Sequence, residues 1–401
     1  MRHSVLRRII PLYIVIFFGF LGYSMMITLF TPLFMYGESG IISIKSSLEY
    51  RVIILGIVLA LFPFAQFIGS PILGALSDRF GRRPVLLISL YIAPICYGLI
   101  ACSLMMPSLS LLMASTFFAG ASQSNIAIAQ SAISDVAPKQ HRGPLFGYIF
   151  LSASLAYVVG PLLGGKLAFH ESIPFWIVFA LLVLTLFWIQ FAFKETKLKK
   201  EPHLHLHEIL TQFLTIFTVR KIRIIYFFNF CLYFAVFGFF RCYPMYIVNE
   251  FHVDVSKLSE YIAWVSVPII LVNFGLTGSL FKRFSAKNLT FASGLLTGLF
   301  MILIIFPKPQ ASLWVTLFLT SSTLALLLPA SSTMLSYAVS DNAQGRVMGN
   351  NQSLQVAAEA FSAFIGGLIA SINIKLSLII LGIFAIGAAS AMFLMRDKIP
   401  E

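Results

Sequence analysis

Charged side chains are scarce in this sequence. Of its 401 residues only 11% are Asp, Glu, Lys or Arg, whereas 59% are hydrophobic and 40 are phenylalanine. A water-soluble domain carries about twice that share of charge, so the composition excludes a soluble globular protein. It indicates a chain whose surroundings are largely lipid.

Cysteine is also rare, and its placement argues against a metal centre. The four cysteines lie inside apolar segments and form no Cys-x-x-Cys pair; they are Cys96, Cys102, Cys231 and Cys242. The histidines of residues 203–207 lie in a polar loop, where we expect no metal. The sequence also has no Walker loop, Gly-x-Ser-x-Gly or His-Glu-x-x-His pattern. We therefore expect no enzyme, no metal and no cofactor.

The apolar residues fall into twelve segments, each long enough to cross a bilayer core, which takes about 20 residues. Helices satisfy their own backbone polar groups in lipid, so the sequence predicts an all-α membrane protein with twelve transmembrane helices. The segments are residues 9–35, 52–75, 85–106, 110–134, 145–168, 174–193, 222–248, 259–281, 288–306, 312–339, 347–371 and 375–395.

The net charge of +13 invites a nucleic-acid interpretation, but the positions of the basic residues argue against it. Most of the 28 Lys and Arg residues fall in loops on one side of the predicted membrane, the side of the amino terminus. Cytoplasmic loops carry such an excess of positive charge. We predict a multi-pass protein with both termini in the cytoplasm and no nucleic-acid partner.

A compact charged block separates the second and third segments. Residues 74–86 read Gly-Ala-Leu-Ser-Asp-Arg-Phe-Gly-Arg-Arg-Pro-Val-Leu. This block resembles the loop between helices 2 and 3 of major facilitator superfamily transporters, and particularly the version in tetracycline-efflux and related drug/proton antiporters. An ordinary positive-inside loop would account for the arginines but not for the Gly-Asp-Gly frame.

The resemblance implies that this block is a conformational latch. In the family the Asp and a following Arg contact an acidic residue at the inner end of the fourth segment; here these are Asp78, Arg82 and Asp135. We expect the two glycines of the block to permit close approach and a turn of the backbone. The predicted latch residues are Gly74, Asp78, Arg79, Gly81, Arg82, Arg83 and Asp135.

The sequence repeats itself at an offset of about 204 residues. Residues 278–287 echo residues 74–83, with Lys282 in place of Asp78 and Ser285 in place of Gly81. Such a duplication is typical of transporters that bind substrate between two halves.

The repeat divides the chain into two six-helix pseudo-repeats, residues 1–193 and 222–401, joined by a cytoplasmic linker over 194–221. Apolar residues at helical spacing in 207–217 predict an amphipathic helix on the inner membrane surface. A flexible linker is the alternative.

The fifth segment contains Gly160, Pro161, Gly164 and Gly165 in the pattern Gly-Pro-x-x-Gly-Gly. The pattern resembles an element typical of antiporters in this superfamily. Proline bends a helix, and glycines permit close helix contact. Small-residue packing in any membrane bundle would explain the glycines alone.

Two polar residues of the resembled antiporters are missing here. Thr116 stands where drug antiporters usually carry an arginine in the fourth segment. Residues 17–26 contain no carboxylate, whereas tetracycline antiporters have an acid in this segment. The amino-terminal half therefore lacks the usual proton site.

Two charges in the carboxyl-terminal half are candidates to replace it. Arg241 lies in the seventh segment, and Glu359 shares one helix face with Gln352 and Gln355 in the eleventh. A bare charge at such depth costs several kcal/mol, so both should face partners or water. The pair is either a structural contact or a substrate or proton site. Further candidates for substrate contact are Gln123, Asn125 and Tyr243.

Taken with the resemblance, these residues predict a secondary active transporter that moves a small organic solute by alternating access. The resemblance implies proton-coupled drug efflux across the bacterial inner membrane, with a small molecule, protons and the lipid bilayer as partners, and we expect a monomer. One alternative is a metabolite importer or facilitator without proton antiport, which the missing residues favour. A second is a non-transporting receptor or assembly factor, against which the latch and the buried charges argue.

Overall fold

The computed structural model describes residues 2–37, 40–43, 45–136, 139–167, 169–196, 220–306, 309–338 and 341–395. These residues form fourteen α-helices. The first seven are α1 (Arg2–Tyr36), α2 (Leu48–Phe80), α3 (Arg82–Met105), α4 (Leu109–Ser122), α5 (Asn125–Val136), α6 (Lys139–Lys166) and α7 (Ile173–Ala192). The remainder are α8 (Arg220–Phe251), α9 (Val255–Gly275), α10 (Thr277–Arg283), α11 (Ala286–Leu303), α12 (Ser312–Tyr337), α13 (Asp341–Ile372) and α14 (Ile374–Leu394).

The predicted all-α membrane architecture is confirmed, and two of the twelve segments are each divided into two helices. The segment 110–134 is interrupted at Gln123 and Ser124, between α4 and α5. The segment 259–281 is interrupted at Leu276, between α9 and α10. Among the described helices, ten are long and apolar enough to cross a membrane. The predicted amphipathic helix of the linker lies outside the described residues.

Helix boundaries follow local chemistry. Gly81 separates α2 from α3 with a φ of 106°, a conformation that side chains other than glycine rarely adopt. Ser108 caps α4 by accepting the Leu111 amide, and Asn373 caps α14 by accepting the amides of Lys375 and Leu376. Prolines lie inside α1 and α2, and membrane helices tolerate proline where neighbouring groups satisfy the freed backbone carbonyls.

By their internal contacts the residues divide into two units. The first contains residues 1–46, 61–209 and 254–260; the second contains residues 47–60, 210–253 and 261–401. The contact division thus assigns the start of α2 to the second unit and the start of α9 to the first. The predicted halves, residues 1–193 and 222–401, stay a prediction based on the sequence repeat.

The first unit has an aliphatic core drawn from α1, α3, α5, α6 and α7. Its helices also approach closely where a side chain is absent: a Cβ on Gly120 of α4 would overlap the backbone of Phe62 in α2. Core members include Leu12, Val15, Leu86, Leu90, Ile128, Ile133, Ile149 and Ile189.

The second unit depends on small residues at two helix contacts. Gly298 of α11 meets the Gly382 carbonyl of α14, where a Cβ on either residue would overlap the other helix. Gly56, in the part of α2 that belongs to this unit, meets Gly367 of α13, and a Cβ on either glycine would lie 2.8 Å from the other's Cα. Small residues let membrane helices pack by direct backbone contact.

Candidate functional site

The arginine of the charged block is the centre of an ionic network in the first unit. Arg82 begins α3, and its side chain is only 6% exposed. Its Nη1 lies 2.9 Å from Asp78 Oδ1 in the last turns of α2, and its Nε donates to Asp135 Oδ2 of α5 at 3.0 Å. Nη1 also donates to Ser77 Oγ at 2.6 Å. The structure therefore brings together the three residues on which the latch prediction depends.

The start of α3 is capped by an acidic residue that the sequence analysis did not identify. Glu195, which follows α7, accepts the Arg82 amide at 2.9 Å and the Arg83 amide at 3.2 Å. The carboxylate occupies the space that a Cβ on Gly81 would take. Because the first amides of a helix have no intrahelical acceptor, an anion at this position is stabilising. Glu195 was detectable only as an acid just beyond a span, on the side of the basic loop.

The remaining block residues differ in what they contact. Arg83 binds the end of α7, with Nε donating to the Phe193 carbonyl at 2.9 Å and Nη2 to the Gln190 carbonyl at 2.6 Å. Arg79 is exposed, with its guanidinium carbon 5.1 Å from the centre of the Phe80 ring. The close approach expected at Gly74 is absent among the described residues, because nothing lies within 4 Å of the position of its Cβ. The expected close approach is therefore wrong for Gly74, and the turn of the block lies at Gly81, where φ is 106°.

The glycines of the Gly-Pro-x-x-Gly-Gly element bring α6 against α1. A Cβ on Gly160 would overlap Ser24 Oγ and approach the Leu21 carbonyl, both in α1. One turn later, Gly164 lies against Met25. Gly165 lies against Ser259 in the part of α9 that belongs to the same unit. Pro161 is accommodated within the helix.

The two deep charges of the second unit form a direct ion pair. Arg241 Nη2 donates to Glu359 Oε1 at 2.7 Å, and the two side chains are 2% and 12% exposed. Arg241 lies ten residues before the end of α8 and Glu359 thirteen residues before the end of α13, which corresponds to about 15–20 Å of helix. Such a pair is stabilised by its own contact, and removing either partner leaves a poorly hydrated charge.

The other predicted site residues on α8 and α13 are Tyr243, Gln352 and Gln355. Tyr243 is buried, and its ring stacks on Phe239 with centroids 4.9 Å apart. Gln352 and Gln355 are half-buried.

The buried amide of this region is instead Asn351, which the sequence analysis did not single out. Its Nδ2 donates to Tyr233 Oη at 2.6 Å, and its Oδ1 accepts from Asn229 at 3.2 Å. Tyr233 Oη also lies 3.0 Å from Ser332 Oγ of α12. The side-chain period of a helix does not tell which residue of the run 350–352 faces its neighbours.

The two candidates of the fourth segment lie on either side of the break between α4 and α5. Gln123 and Asn125 line a small cavity together with Gln66 of α2. Ser89 of α3 donates to Asn125 Oδ1 at 2.7 Å. Thr116, at the position where drug antiporters usually carry an arginine, is buried in α4. Within the described residues, no group of three or more His, Cys, Asp or Glu side chains is arranged to hold a metal ion.

Comparison with known proteins gives a consistent family match. The family model described as Major Facilitator Superfamily matches residues 12–319 and 225–401. The tetracycline resistance protein, class B, of Escherichia coli is 38% identical over 145 residues, and this alignment covers 35% of each chain. The matched region thus spans about a third of the length of that relative.

Two further comparisons cover most of the chain. Multidrug resistance protein 2 of Bacillus subtilis is 25% identical over 365 residues, which are 86% of each chain. The crystal structure of the human organic anion transporter MFSD10 superposes with a TM-score of 0.73 at 19% identity, covering 97% of this chain and 99% of that one. At this identity the structural likeness establishes the fold alone.

Proposed function

Since the chain belongs to the Major Facilitator Superfamily and is a multi-pass secondary transporter of a small molecule, we propose that it exports an amphipathic drug-like solute in exchange for protons. The names of its relatives, tetracycline and multidrug resistance proteins, support this substrate class. The bacterial relatives support a location in the cytoplasmic membrane, and the loop charges support termini on the cytoplasmic side. We propose that it works as a monomer.

The single observation that carries the proton coupling is the contact between Arg241 and Glu359. Glu359 Oε1 accepts from Arg241 Nη2 at 2.7 Å in a site that is almost closed to solvent. A proton on Glu359 removes its negative charge, so the attraction that holds the arginine is lost. The arginine must then be stabilised by another acceptor, by water or by a solute. Proton uptake therefore changes which conformation of the second unit is favoured.

The network around Arg82 supplies a second two-state element in the proposed mechanism. Asp78 is 43% exposed, so its carboxylate is able to exchange Arg82 for water when their contact breaks. Asp135 and Glu195 hold Arg82 and the start of α3 when they are packed. A contact formed in one packing state and hydrated in the other biases the equilibrium between the two states. We propose that the network controls this conformational step and that it does not contact the solute.

Solute-dependent proton flux in liposomes tests the proposal. Purified protein is reconstituted with an interior pH dye, and a proton gradient is imposed with tetracycline or tetraphenylphosphonium as the solute. We expect each transported solute to accelerate collapse of the gradient, compared with protein-free liposomes. Solute movement without proton flux would contradict the coupling, and movement of neither solute would contradict the substrate class.

Facilitated transport without protons is the second candidate. Thr116 and residues 17–26 supply neither the arginine nor the acid that the resembled antiporters carry. In this case a metabolite would equilibrate across the membrane at a rate independent of the proton gradient. The same liposomes distinguish the two functions, because only antiport accumulates solute against its concentration gradient.

A further inference from the structure

The break between α4 and α5 brings backbone and side-chain polar groups into the apolar interior of the first unit. The Gln123 backbone amide donates to the carbonyls of Ala119 and Gly120 at 3.0 and 3.2 Å, and α4 ends there. Ser124 Oγ then donates to the Gln66 carbonyl of α2 at 3.3 Å. Irregular backbone within a membrane helix is tolerated where it is buried in protein or lines a cavity. Here it lines a cavity.

This cavity is small and lined by amides. Its polar lining consists of Gln66, Gln123 and Asn125, and its apolar lining includes Phe20 and Phe62. The cavity has a volume of about 10 Å³, which is room for about one water molecule. The lining residues carry no formal charge.

The two side-chain amides at the break line this cavity, and both have buried NH₂ groups. Asn125 Oδ1 lies 2.7 Å from Ser89 Oγ, which is also 2.8 Å from the Leu86 carbonyl, and the Asn125 NH₂ group is on the other side of the side-chain amide. The Gln123 side chain lies over Gly19, where a Cβ on the glycine would overlap it. Gln123 and Asn125 are only 6% and 2% exposed, and neither amide nitrogen has a hydrogen-bond partner among the described residues. Buried donors of this kind are costly unless an acceptor is supplied.

We propose that the cavity is a subsite that binds a hydrogen-bond-accepting oxygen of the transported solute, such as a carbonyl or hydroxyl group. NH₂ groups donate to oxygen, and the absence of acidic residues among the lining side chains disfavours a cationic group. The absence of a basic residue there equally disfavours a full anion. The subsite rests on the proposed function and adds the chemical group that the first unit recognises. A water oxygen offers the same chemistry, so the test must separate solute from water.

Two solutes that differ in oxygen content distinguish binding of a solute oxygen from binding of water. Tetracycline carries many carbonyl and hydroxyl oxygens, whereas tetraphenylphosphonium has none. Affinities for both are measured on wild type, Gln123→Met and Asn125→Ser, with the melting temperature of each solute-free variant. Gln190→Met is the matched control, because Gln190 lies on α7 and is not among the lining residues.

We expect Gln123→Met and Asn125→Ser each to weaken tetracycline binding about fivefold, the usual effect of one lost hydrogen bond, and to leave tetraphenylphosphonium binding unchanged. Gln190→Met should change neither. Unchanged affinities with altered melting temperatures would mean that the donors bind only structural water, which overturns the subsite. Equal losses for both solutes would overturn it as well, since packing would then be the cause. Wild-type protein that binds neither solute would contradict the proposed function, and the subsite with it.

Discussion

Residues 74–83 and 278–287 carry the same sequence pattern, and the two copies share one contact. In the first copy Arg83 donates to the Phe193 carbonyl at the end of α7. In the second copy Lys287 Nζ donates to the Met395 carbonyl at the end of α14, at 2.8 Å. Basic side chains stabilise the free carbonyls at the end of a helix. This contact belongs to the architecture of both repeats and needs no role in switching.

The copies differ in the residue at the centre of the ionic network. Arg82, which binds Asp78 and Asp135, is replaced by Ala286 in the second copy. The helix that follows is capped in a different way: α3 by the distant Glu195, and α11 by its own Ser285, which accepts the Asn288 amide at 3.2 Å. A self-capped helix start is fixed locally, whereas α3 depends on residues from three other helices or their ends. The difference assigns the proposed switch to the first copy.

Breaking the Arg241–Glu359 pair is expected to have the largest effect on stability. In the second unit this pair is the buried ionic contact, whereas in the first unit the buried ionic contact is at the loop between α2 and α3. Arg241→Met and Glu359→Gln should each cost about 3–5 kcal/mol if the pair is fully desolvated. The double variant should cost less than the sum, since no charge is then left unpaired. Unfolding of detergent-solubilised protein by denaturant measures the cycle.

Transport distinguishes the two roles of this pair. We expect the double variant to regain stability while its transport stays lost, because the pair takes part in coupling. Recovery of transport along with stability would reduce the pair to a structural contact. Additive losses would contradict the interaction itself.

Asp78→Asn sharpens the comparison between the copies. We expect transport to fall about tenfold, the size of a typical coupling between conformational states. Stability should change by less than about 1 kcal/mol, because Asp78 is partly exposed and Asp135 still binds Arg82. Lys282→Gln, at the equivalent position of the second copy, is the control and should transport at the wild-type rate. Equal transport rates in the two variants would remove the latch from the mechanism.

The two helix caps give the smallest expected effects. Glu195→Ala and Ser285→Ala each remove one cap and should lower the unfolding free energy by about 1 kcal/mol. Only Glu195→Ala should also slow transport, because its carboxylate holds the start of α3 beside the Arg82 network. Melting temperatures and transport rates in the same preparation test this pair. Slower transport in Ser285→Ala would place switching in both copies.

The sequence was sufficient for the all-α membrane architecture, because long apolar runs have few alternatives in lipid. It also indicated that Arg241 and Glu359 need partners, because isolated charges at that depth are costly. The break at Gln123 and Ser124 was not predicted. Neither residue is a proline or a glycine, although residues 122–125 form a short polar run, Ser-Gln-Ser-Asn. At the break Ser124 binds a carbonyl of α2, a tertiary contact that the sequence does not show.

Glu195 was missed for a related reason. Its partners are backbone amides of α3, and such contacts leave no trace in side-chain pattern. The close approach predicted at Gly74 was wrong, since a glycine in a motif does not reveal whether it serves a turn or a contact. Sequence patterns therefore predicted which residues carry charge into the membrane region more reliably than which groups bind them.

Proton coupling through Glu359 is the central claim, and Glu359→Gln tests it most directly. In liposomes with tetracycline, this variant should show no solute-induced proton flux and no gradient-driven accumulation. Exchange of labelled for unlabelled solute should continue, because glutamine resembles the protonated acid. Glu260→Gln, the same change in an exposed ion pair with Lys257, is the control and should behave as wild type. Wild-type proton flux in Glu359→Gln would contradict the account.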